Sequence, residues 1–515
     1  MSLNTKKPLS ILEVTDAARL LRNSEICSKN RKYFGQYMTP FSIGQFMASL
    51  FKAFPEKTKF LDPGSGIGSL TASFLDEVLS NWRAKNIAVT CVEQDEEMIK
   101  VLNNTLSIIK KSSDKTNTKI DFEVLNEDYI LRSIEDSKFG SFTHIIANPP
   151  YKKLGSQTDH AIKLSKSGIK ASNLYAAFLA LSAEQLAPGG ELVAIVPRSF
   201  CNGPYFKAFR KYFFNRVSLQ QVHVFKSRKD AFKTDSVLQE NIILHVAKIP
   251  PSNNVLISTS LGADFEKNAN GKITSPTYTQ LKQPYKMVLD HSSDNFIVYL
   301  PTSLNEQSIV LRMQSFLSDL EDIKVSISTG AVVDFRHKND LENTFDRHCA
   351  PLLYACHLRG RRLNWPMLGK KPNAIRVTET SKSYLWANEG YFVVTKRFSS
   401  KEEKKRIVAT VVKSDVSHKY IGFENHLNVF HNSKTGLSEA LANGLSIFLN
   451  STMVDQYFRI FNGHTQVNAT DLRMMRYPSV DVLLEVGQNV QSNELSQSDI
   501  DTIFQKAFHK ESMAA

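Results

Sequence analysis

From about residue 57 to residue 250, short apolar runs alternate with segments whose apolar positions recur at helical spacing. Lys59-Phe60-Leu61, Ile87–Val92, Ile120–Leu125, Thr143–Ala147, Glu191–Val196, Val222–Phe225 and Asn241–Val246 read as buried strands. Helical spacing runs from the glycine-rich stretch after Leu61 to about Leu79, from Glu96 to about Ile109, and over Leu174–Leu186. Upstream, residues 10–27 predict a helix capped by Ser10, and Thr39-Pro40 opens another through Leu50, because proline suits the first helical turn. Strands alternating with helices in this way predict an α/β fold with a doubly wound, mainly parallel sheet. Lys248-Ile249-Pro250-Pro251-Ser252-Asn253-Asn254 breaks the pattern and suggests a division into residues 1–250 and 251–515, the second half being mixed α+β.

The residues just past the strands carry the candidate chemistry, since open α/β sheets bind ligands at their carboxyl edge. The first strand runs into Asp62-Pro63-Gly64-Ser65-Gly66-Ile67-Gly68, a turn that lets backbone approach a nucleoside. Its acidic residue would repel a pyrophosphate and suits an amine-bearing ligand. The second strand ends in Glu93, placed to accept hydrogen bonds from ribose hydroxyls, and the third is followed by Asp128-Tyr129. The fourth ends in Asn148-Pro149-Pro150-Tyr151, where two prolines without N–H donors impose a rigid turn between an amide and an aromatic ring.

At 515 residues and 42 % hydrophobic the chain fits two or three domains. No apolar run reaches the roughly 18 residues of a membrane span, and the N-terminus has no apolar leader core. Five scattered cysteines fit a reducing compartment, so a cytoplasmic location is expected. His348, Cys349, Cys356 and His357 have the spacing of no common zinc finger, and no metal is expected. The formal charge of +13 points to an anionic partner. Pro351 to Phe430 holds 15 Lys and Arg against 6 Asp and Glu. Arg359, Arg361, Arg362, Lys396, Arg397 and the run Lys404-Lys405-Arg406 are therefore candidate phosphate contacts. His464, Gln466 and Asn468, spaced by two, face one side of an extended segment, and Gln and Asn pair well with adenine edges. A purely structural role for these three is equally open.

Taken in order, Gly35-Gln36-Tyr37-Met38-Thr39-Pro40, Asp62–Gly68, Val92-Glu93-Gln94-Asp95, Asp128-Tyr129 and Asn148–Tyr151 resemble the motifs of gamma-class N6-adenine DNA methyltransferases, the modification enzymes of bacterial type II-like restriction–modification systems. Tyr391–Glu403, Glu424–Asn428 and Asn462–Asn468 resemble blocks of the recognition half of such enzymes, so the likeness spans nearly the whole chain. Gly64-Ser65 stands where the family often has Ala-Cys, an exchange of small residues.

The resemblance implies a Rossmann-like methyltransferase domain dependent on S-adenosylmethionine, followed by a DNA target-recognition domain. It implies that the Asn148 oxygen and the Pro149 carbonyl accept from the adenine amine, with Tyr151 stacked on the flipped base. Asp128 and Tyr129 would hold the cofactor's adenine, Glu93 its ribose, and Asp62, Gly64, Gly66 and Thr39 its methionine end. Phe232 would pack on the target base. Double-stranded DNA is the implied substrate, with a separate cognate restriction endonuclease as a further partner. N4-cytosine methylation, and methylation of RNA guanine or protein glutamine through a similar turn, stay open, as does a DNA-binding module without catalysis. C5-cytosine chemistry is disfavoured because no Pro-Cys dipeptide supplies a thiol nucleophile.

Overall fold

The alternating apolar runs become the centre of a nine-stranded sheet. The computed structural model describes residues 15–16, 19–20, 38–81, 84–113, 118–227, 240–268, 271–291, 294–344, 346–367, 369, 371–399, 402–414, 417–463, 465–490 and 495–514. The helix expected over residues 10–27 therefore lies largely outside the described residues; Thr15, Asp16, Arg19 and Leu20 are helical.

In chain order the first unit comprises α1 (Phe41–Ala48), β1 (Lys57–Pro63), α2 (Ser69–Asn81), β2 (Asn86–Glu93), α3 (Glu96–Ser113), β3 (Lys119–Asn126), α4 (Tyr129–Glu135), β4 (Phe142–Ala147), α5 (Asp159–Lys166), α6 (Leu174–Gln185), β5 (Leu186–Pro197), α7 (Lys207–Phe214), β6 (Ser218–Phe225), β7 (Asn241–Ala247) and β8 (Asn254–Ser260). A small hairpin, β9 (Glu266–Lys267) with β10 (Ile273–Thr274), precedes β11 (Thr279–Pro284). The sheet order is β11-β8-β6-β7-β5-β4-β1-β2-β3. From β3 to β5 all neighbours are parallel; β7 inserts antiparallel between β5 and β6. The chain leaves β1 for β2 on one side and returns to β4 on the other, so a crevice opens at the carboxyl ends of β1 and β4.

Burial explains the layers. In β1, Thr58, Phe60 and Asp62 share one face by the period of two, and Phe60 stacks on Phe74 of α2 with ring centroids 3.9 Å apart. Ile43, Phe46, Met47, Phe74, Leu102 and Leu106 from α1, α2 and α3 join one core cluster with Ile87, Val89 and Ile146 of the strands. α6 is apolar on nearly every side, and Tyr175 through Ala183 are all buried, as an enclosed helix requires.

The expected division at residue 250 is corrected by the sheet. β8 pairs parallel with β6 and β11 antiparallel with β8, so the chain past the proline pair continues the same sheet. The compact units divide between Thr302 and Ser303. Local proline punctuation marks a turn, and long-range pairing decides the domain.

The second unit begins with α8 (Leu304–Gln314). Its sheets contain β12 (Ser326–Thr329), β13 (Leu341–Glu342), β14 (Cys349–Leu353), β15 (Leu358–Arg359), β16 (Arg362–Leu363), β17 (Ala374–Arg376), β18 (Trp386–Ala387), β19 (Tyr391–Lys396), β20 (Ala409–Lys413), β21 (Tyr420–Phe423) and β22 (Leu427–His431). These form a four-stranded sheet, β12-β22-β19-β20, a five-stranded one, β13-β17-β14-β21-β18, and the β15-β16 hairpin. The helices α9 (Glu439–Asn450), α10 (Thr452–Phe461), α11 (Ala469–Arg473), α12 (Val480–Gln488) and α13 (Gln497–Ala514) follow. α9 and α12 cross in close contact: a Cβ at Gly444 would meet the Leu483 carbonyl oxygen at 1.9 Å, and one at Gly487 that of Ala440 at 1.7 Å. This is mixed α+β, as the sequence pattern suggested.

Candidate active site at the carboxyl edge of the sheet

A cavity of about 450 Å³ opens over the carboxyl ends of β1, β2 and β4. Its floor is the glycine turn after β1. Gly64, Gly66 and Gly68 have φ of +74°, +54° and +85°, left-handed values that side-chain-bearing residues rarely adopt. No atom lies within 4 Å of where a Gly66 Cβ would stand, so the backbone there meets open space.

Glu93 is buried, and its carboxylate is pinned by backbone donors. Gly66 N–H donates to Oε2 at 2.8 Å, while Gln94 and Asp95 N–H donate to Oε1 at 2.9 and 3.0 Å. Burial raises its pKa, against the pull of those amides. A carboxylate oxygen can accept more than one bond, so acceptor capacity remains toward the cavity. Thr39, Gly64, Gly66, Glu93, Asp128 and Tyr129 all line this space.

Three of the cofactor contacts implied by the resemblance, at Asp62, Gly66 and Asp128, need amendment. Asp62 is buried but does not line the cavity: it lies on the Phe60 face of β1, over α2, where Thr71 Oγ1 donates to its Oδ2 at 2.6 Å. Its Oδ1 has no hydrogen-bond partner among the described residues, and burial pushes its pKa up to about 7. The Gly66 N–H is spent on Glu93 and is not free for a ligand. Asp128 is already engaged, its Oδ1 accepting the N-cap bond from Leu131 N at 3.0 Å and its Oδ2 lying 3.0 Å from His160 Nε2. Tyr129 is wedged beneath, its hydroxyl donating to Gln185 Oε1 at 2.7 Å and its ring 4.7 Å from Phe178.

The Asn148 turn forms the β4 side of the same space. Asn148 is half-buried; its Nδ2 donates to Thr39 Oγ1 at 3.0 Å, and its Oδ1 accepts from the Tyr151 hydroxyl at 3.1 Å. These two partners hold the amide in place. The Tyr151 hydroxyl also reaches the Ile195 carbonyl of β5 at 3.1 Å, and its ring meets Tyr175 edge-on at 6.2 Å. Asn148 and Pro150 line the cavity, whereas Pro149 is buried and Tyr151 is half-buried beside it.

The sequence reading missed His160, Phe178, Lys152 and Lys153, which also line the cavity. The two lysines follow the turn directly and could have been suspected. His160 arrives at the start of α5 and Phe178 from the enclosed α6, with no local signal in either case.

In the second unit the basic candidates separate. Arg359 and Arg362 face each other across the β15-β16 hairpin and are exposed. Arg361 between them is buried, its Nε donating to Ser446 and its Nη2 to Asn443 of α9, both at 3.2 Å. Burial lowers its pKa to about 10. It is a packing element rather than a phosphate contact. Arg406 is also buried, donating to Asn462 Oδ1 at 3.1 Å, and Lys405 donates to the Asn450 carbonyl. Lys396 and Arg397 are half-buried, and Arg397 donates to the Asn425 carbonyl at 3.3 Å.

Three sequence-distant blocks meet here. Arg397 N–H donates to the His426 carbonyl, Ser399 N–H to that of Thr465, and Val467 N–H to that of Arg397. Gln466 is half-buried and bridges Phe398. Asn468 caps α11 in a reciprocal box with Asp471, a structural job that explains its place without any base. Phe232 and His464 lie outside the described residues. Among the described residues no helix is long and apolar enough to cross a membrane.

Residues 27–232 match the family model described as Eco57I restriction-modification methylase. The chain is 41 % identical over 505 residues to the type II methyltransferase M.BsuBI of Bacillus subtilis, covering 96 % of this chain and 97 % of that one. It is 38 % identical over 509 residues to the type II methyltransferase M.PstI of Providencia stuartii, covering 98 % of each. The type IIL restriction–modification enzyme MmeI, solved in complex with DNA, shares the fold at a TM-score of 0.54 and 12 % identity, over 98 % of this chain and 74 % of that one. With two relatives near 40 % identity along almost its full length, the chain belongs to the type II methyltransferases of restriction–modification systems.

Proposed function

We propose that the chain transfers a methyl group from S-adenosylmethionine to the N6 amine of an adenine flipped out of double-stranded DNA. In the cell it is then a cytoplasmic modification enzyme that protects its recognition sequence from a separate cognate nuclease. The observation that carries this reading is Asn148, an amide of fixed orientation on the wall of a nucleoside-sized cavity. The cavity fits the cofactor: open space over Gly66, a pinned Glu93 for hydroxyls, and Tyr129 with Phe178 for a ring. Bound there, S-adenosylmethionine supplies an electrophilic methyl group whose leaving group is a neutral thioether.

The residues of the chain supply alignment and fixed dipoles. An adenine amine is a poor nucleophile because its lone pair is delocalised into the ring. Asn148 Oδ1 and the Pro149 carbonyl are placed as the acceptors of the amine hydrogens, which favours the localised form. Asn is no strong base, so the proton leaves to water after transfer. Thr39 keeps the amide from rotating. Extruding the base costs a few kcal/mol, and the half-buried Tyr151 ring offsets part of this by stacking. Arg359, Arg362, Lys396, Arg397 and Gln466 remain the candidates for DNA contact in the second unit.

The test is incubation with methyl-labelled S-adenosylmethionine and duplex DNA, RNA or total protein in parallel. Label on duplex DNA is expected. Label on RNA or protein, or DNA binding without transfer, would replace the reading.

A further inference from the structure

β4 and β5 are parallel neighbours, so the segments leaving both emerge at the same edge of the sheet. After β4 comes the Asn148 turn. After β5 comes a short 3-10 turn (Arg198–Cys201), then Asn202-Gly203-Pro204-Tyr205. This second loop is held from below by Arg210 of α7, which is 1 % exposed. Its Nη1 donates to the carbonyls of Phe200, Asn202 and Gly203 at 3.0, 2.8 and 3.0 Å. Its Nε and Nη2 donate to the Asn295 carbonyl at 3.0 and 2.8 Å. Gly203 turns the chain at φ +77°, and Pro204 stiffens the next step. Phe206 plugs inward, 5.6 Å from Tyr175, whose ring is 6.2 Å from Tyr151.

The consequence is a tyrosine displayed rather than merely left over. Tyr205 is 82 % exposed, more than any other large apolar side chain among the described residues, yet the loop that leads into it is held at Phe200, Asn202 and Gly203 by a buried guanidinium. Holding an aromatic ring in water on a fixed mount forgoes the gain of burying it. The mount adjoins the wall that carries the catalytic amide, in a chain of net charge +13. Rigid side chains that enter a duplex at an unstacked step match this description.

We propose that the Tyr205 ring enters the DNA duplex at the position vacated by the flipped adenine and stacks on the base left beside the gap, holding the extruded state open. This rests on the base-flipping reading above. It assigns Tyr205 a DNA-contacting role outside both the cofactor cavity and the Asn148 turn.

The experiment uses the full chain with S-adenosylhomocysteine and a duplex whose target adenine, located by methylome sequencing, is replaced by 2-aminopurine. Wild type should give the fluorescence rise of an unstacked base. Tyr205→Ala should lower that rise and raise the KM for DNA about tenfold, the scale of one lost base–aromatic stack. Tyr205→Phe and Tyr205→Trp should keep wild-type values, and cofactor affinity should be unchanged in all three. A Tyr205→Ala enzyme equal to wild type overturns the proposal. So does a Tyr205→Phe enzyme as weak as Tyr205→Ala, which would assign the effect to the hydroxyl, or a Tyr205→Ala enzyme with altered cofactor affinity. A wild-type chain that methylates no adenine in DNA sinks the underlying reading instead, so the two failures are distinguishable.

Discussion

Two four-residue stretches of this chain look equally eloquent in sequence and behave differently in the fold. Asn148-Pro149-Pro150-Tyr151 stays together: the amide lines the cavity and the Tyr151 hydroxyl donates to it. Arg359-Gly360-Arg361-Arg362 divides, two arginines exposed and one buried against α9. The first stretch is governed by what is adjacent to it. A buried strand fixes where Asn148 starts, and two prolines fix where the chain goes next. The second is governed by Asn443 and Ser446, some eighty residues away, which decide that Arg361 turns inward. Identical side chains in one hairpin thus acquire opposite roles from a partner that no local pattern announces.

The sharpest way to separate the stretches is to remove one side chain from each. Asn148→Ala should lower kcat by about 10²–10³-fold, the scale of losing one fixed dipole at a developing charge. Cofactor affinity measured by equilibrium binding should stay within about twofold. Arg361→Ala should instead cost about 2 kcal/mol of stability in denaturant melts, since buried hydrogen bonds from a charged group are lost. The salt dependence of DNA binding should hardly change. The double variant Arg359→Ala with Arg362→Ala should show the reverse: an unchanged melt and a log–log salt slope flatter by about 2, one unit per lost phosphate contact. If Arg361→Ala flattened the slope and the double variant did not, the division of the hairpin would be wrong.

Asp62 offers a smaller contrast with Glu93, the neighbouring acidic strand end. Its folded pKa is about 7 against an ordinary 3.8, so between those values the folded state binds more protons than the unfolded one. Stability should therefore fall as pH rises from about 4 to 7 and level off above. Asp62→Asn should remove that slope, and melts of both proteins across this range check it. Parallel curves would mean that Asp62 ionises as freely when folded as when unfolded.

The strands through Ala247 and the helices α1, α2, α3 and α6 were legible because each is amphipathic or enclosed in its own right, whereas the shorter α4, α5 and α7 were not foreseen. That Glu93, Asp128 and Asn148 meet at one edge followed from their places just past parallel strands. Asp62 was misplaced although the alternation Thr58, Phe60, Asp62 already put it on the helix-covered face. The true domain boundary was hidden because β8 and β11 join the sheet by pairing, which punctuation by proline does not reveal. His160 could not have been foreseen: its contact with Asp128 spans 32 residues and depends on where α5 lands.

The central claim is the atom that receives the methyl group. Plasmid DNA methylated by the purified chain, digested to nucleosides and resolved by mass spectrometry, reports it directly. The account predicts N6-methyldeoxyadenosine from the wild type and about 10²–10³-fold less from Asn148→Ala in matched initial-rate reactions. N4-methyldeoxycytidine as the product, or undiminished N6-methyldeoxyadenosine from Asn148→Ala, would contradict it.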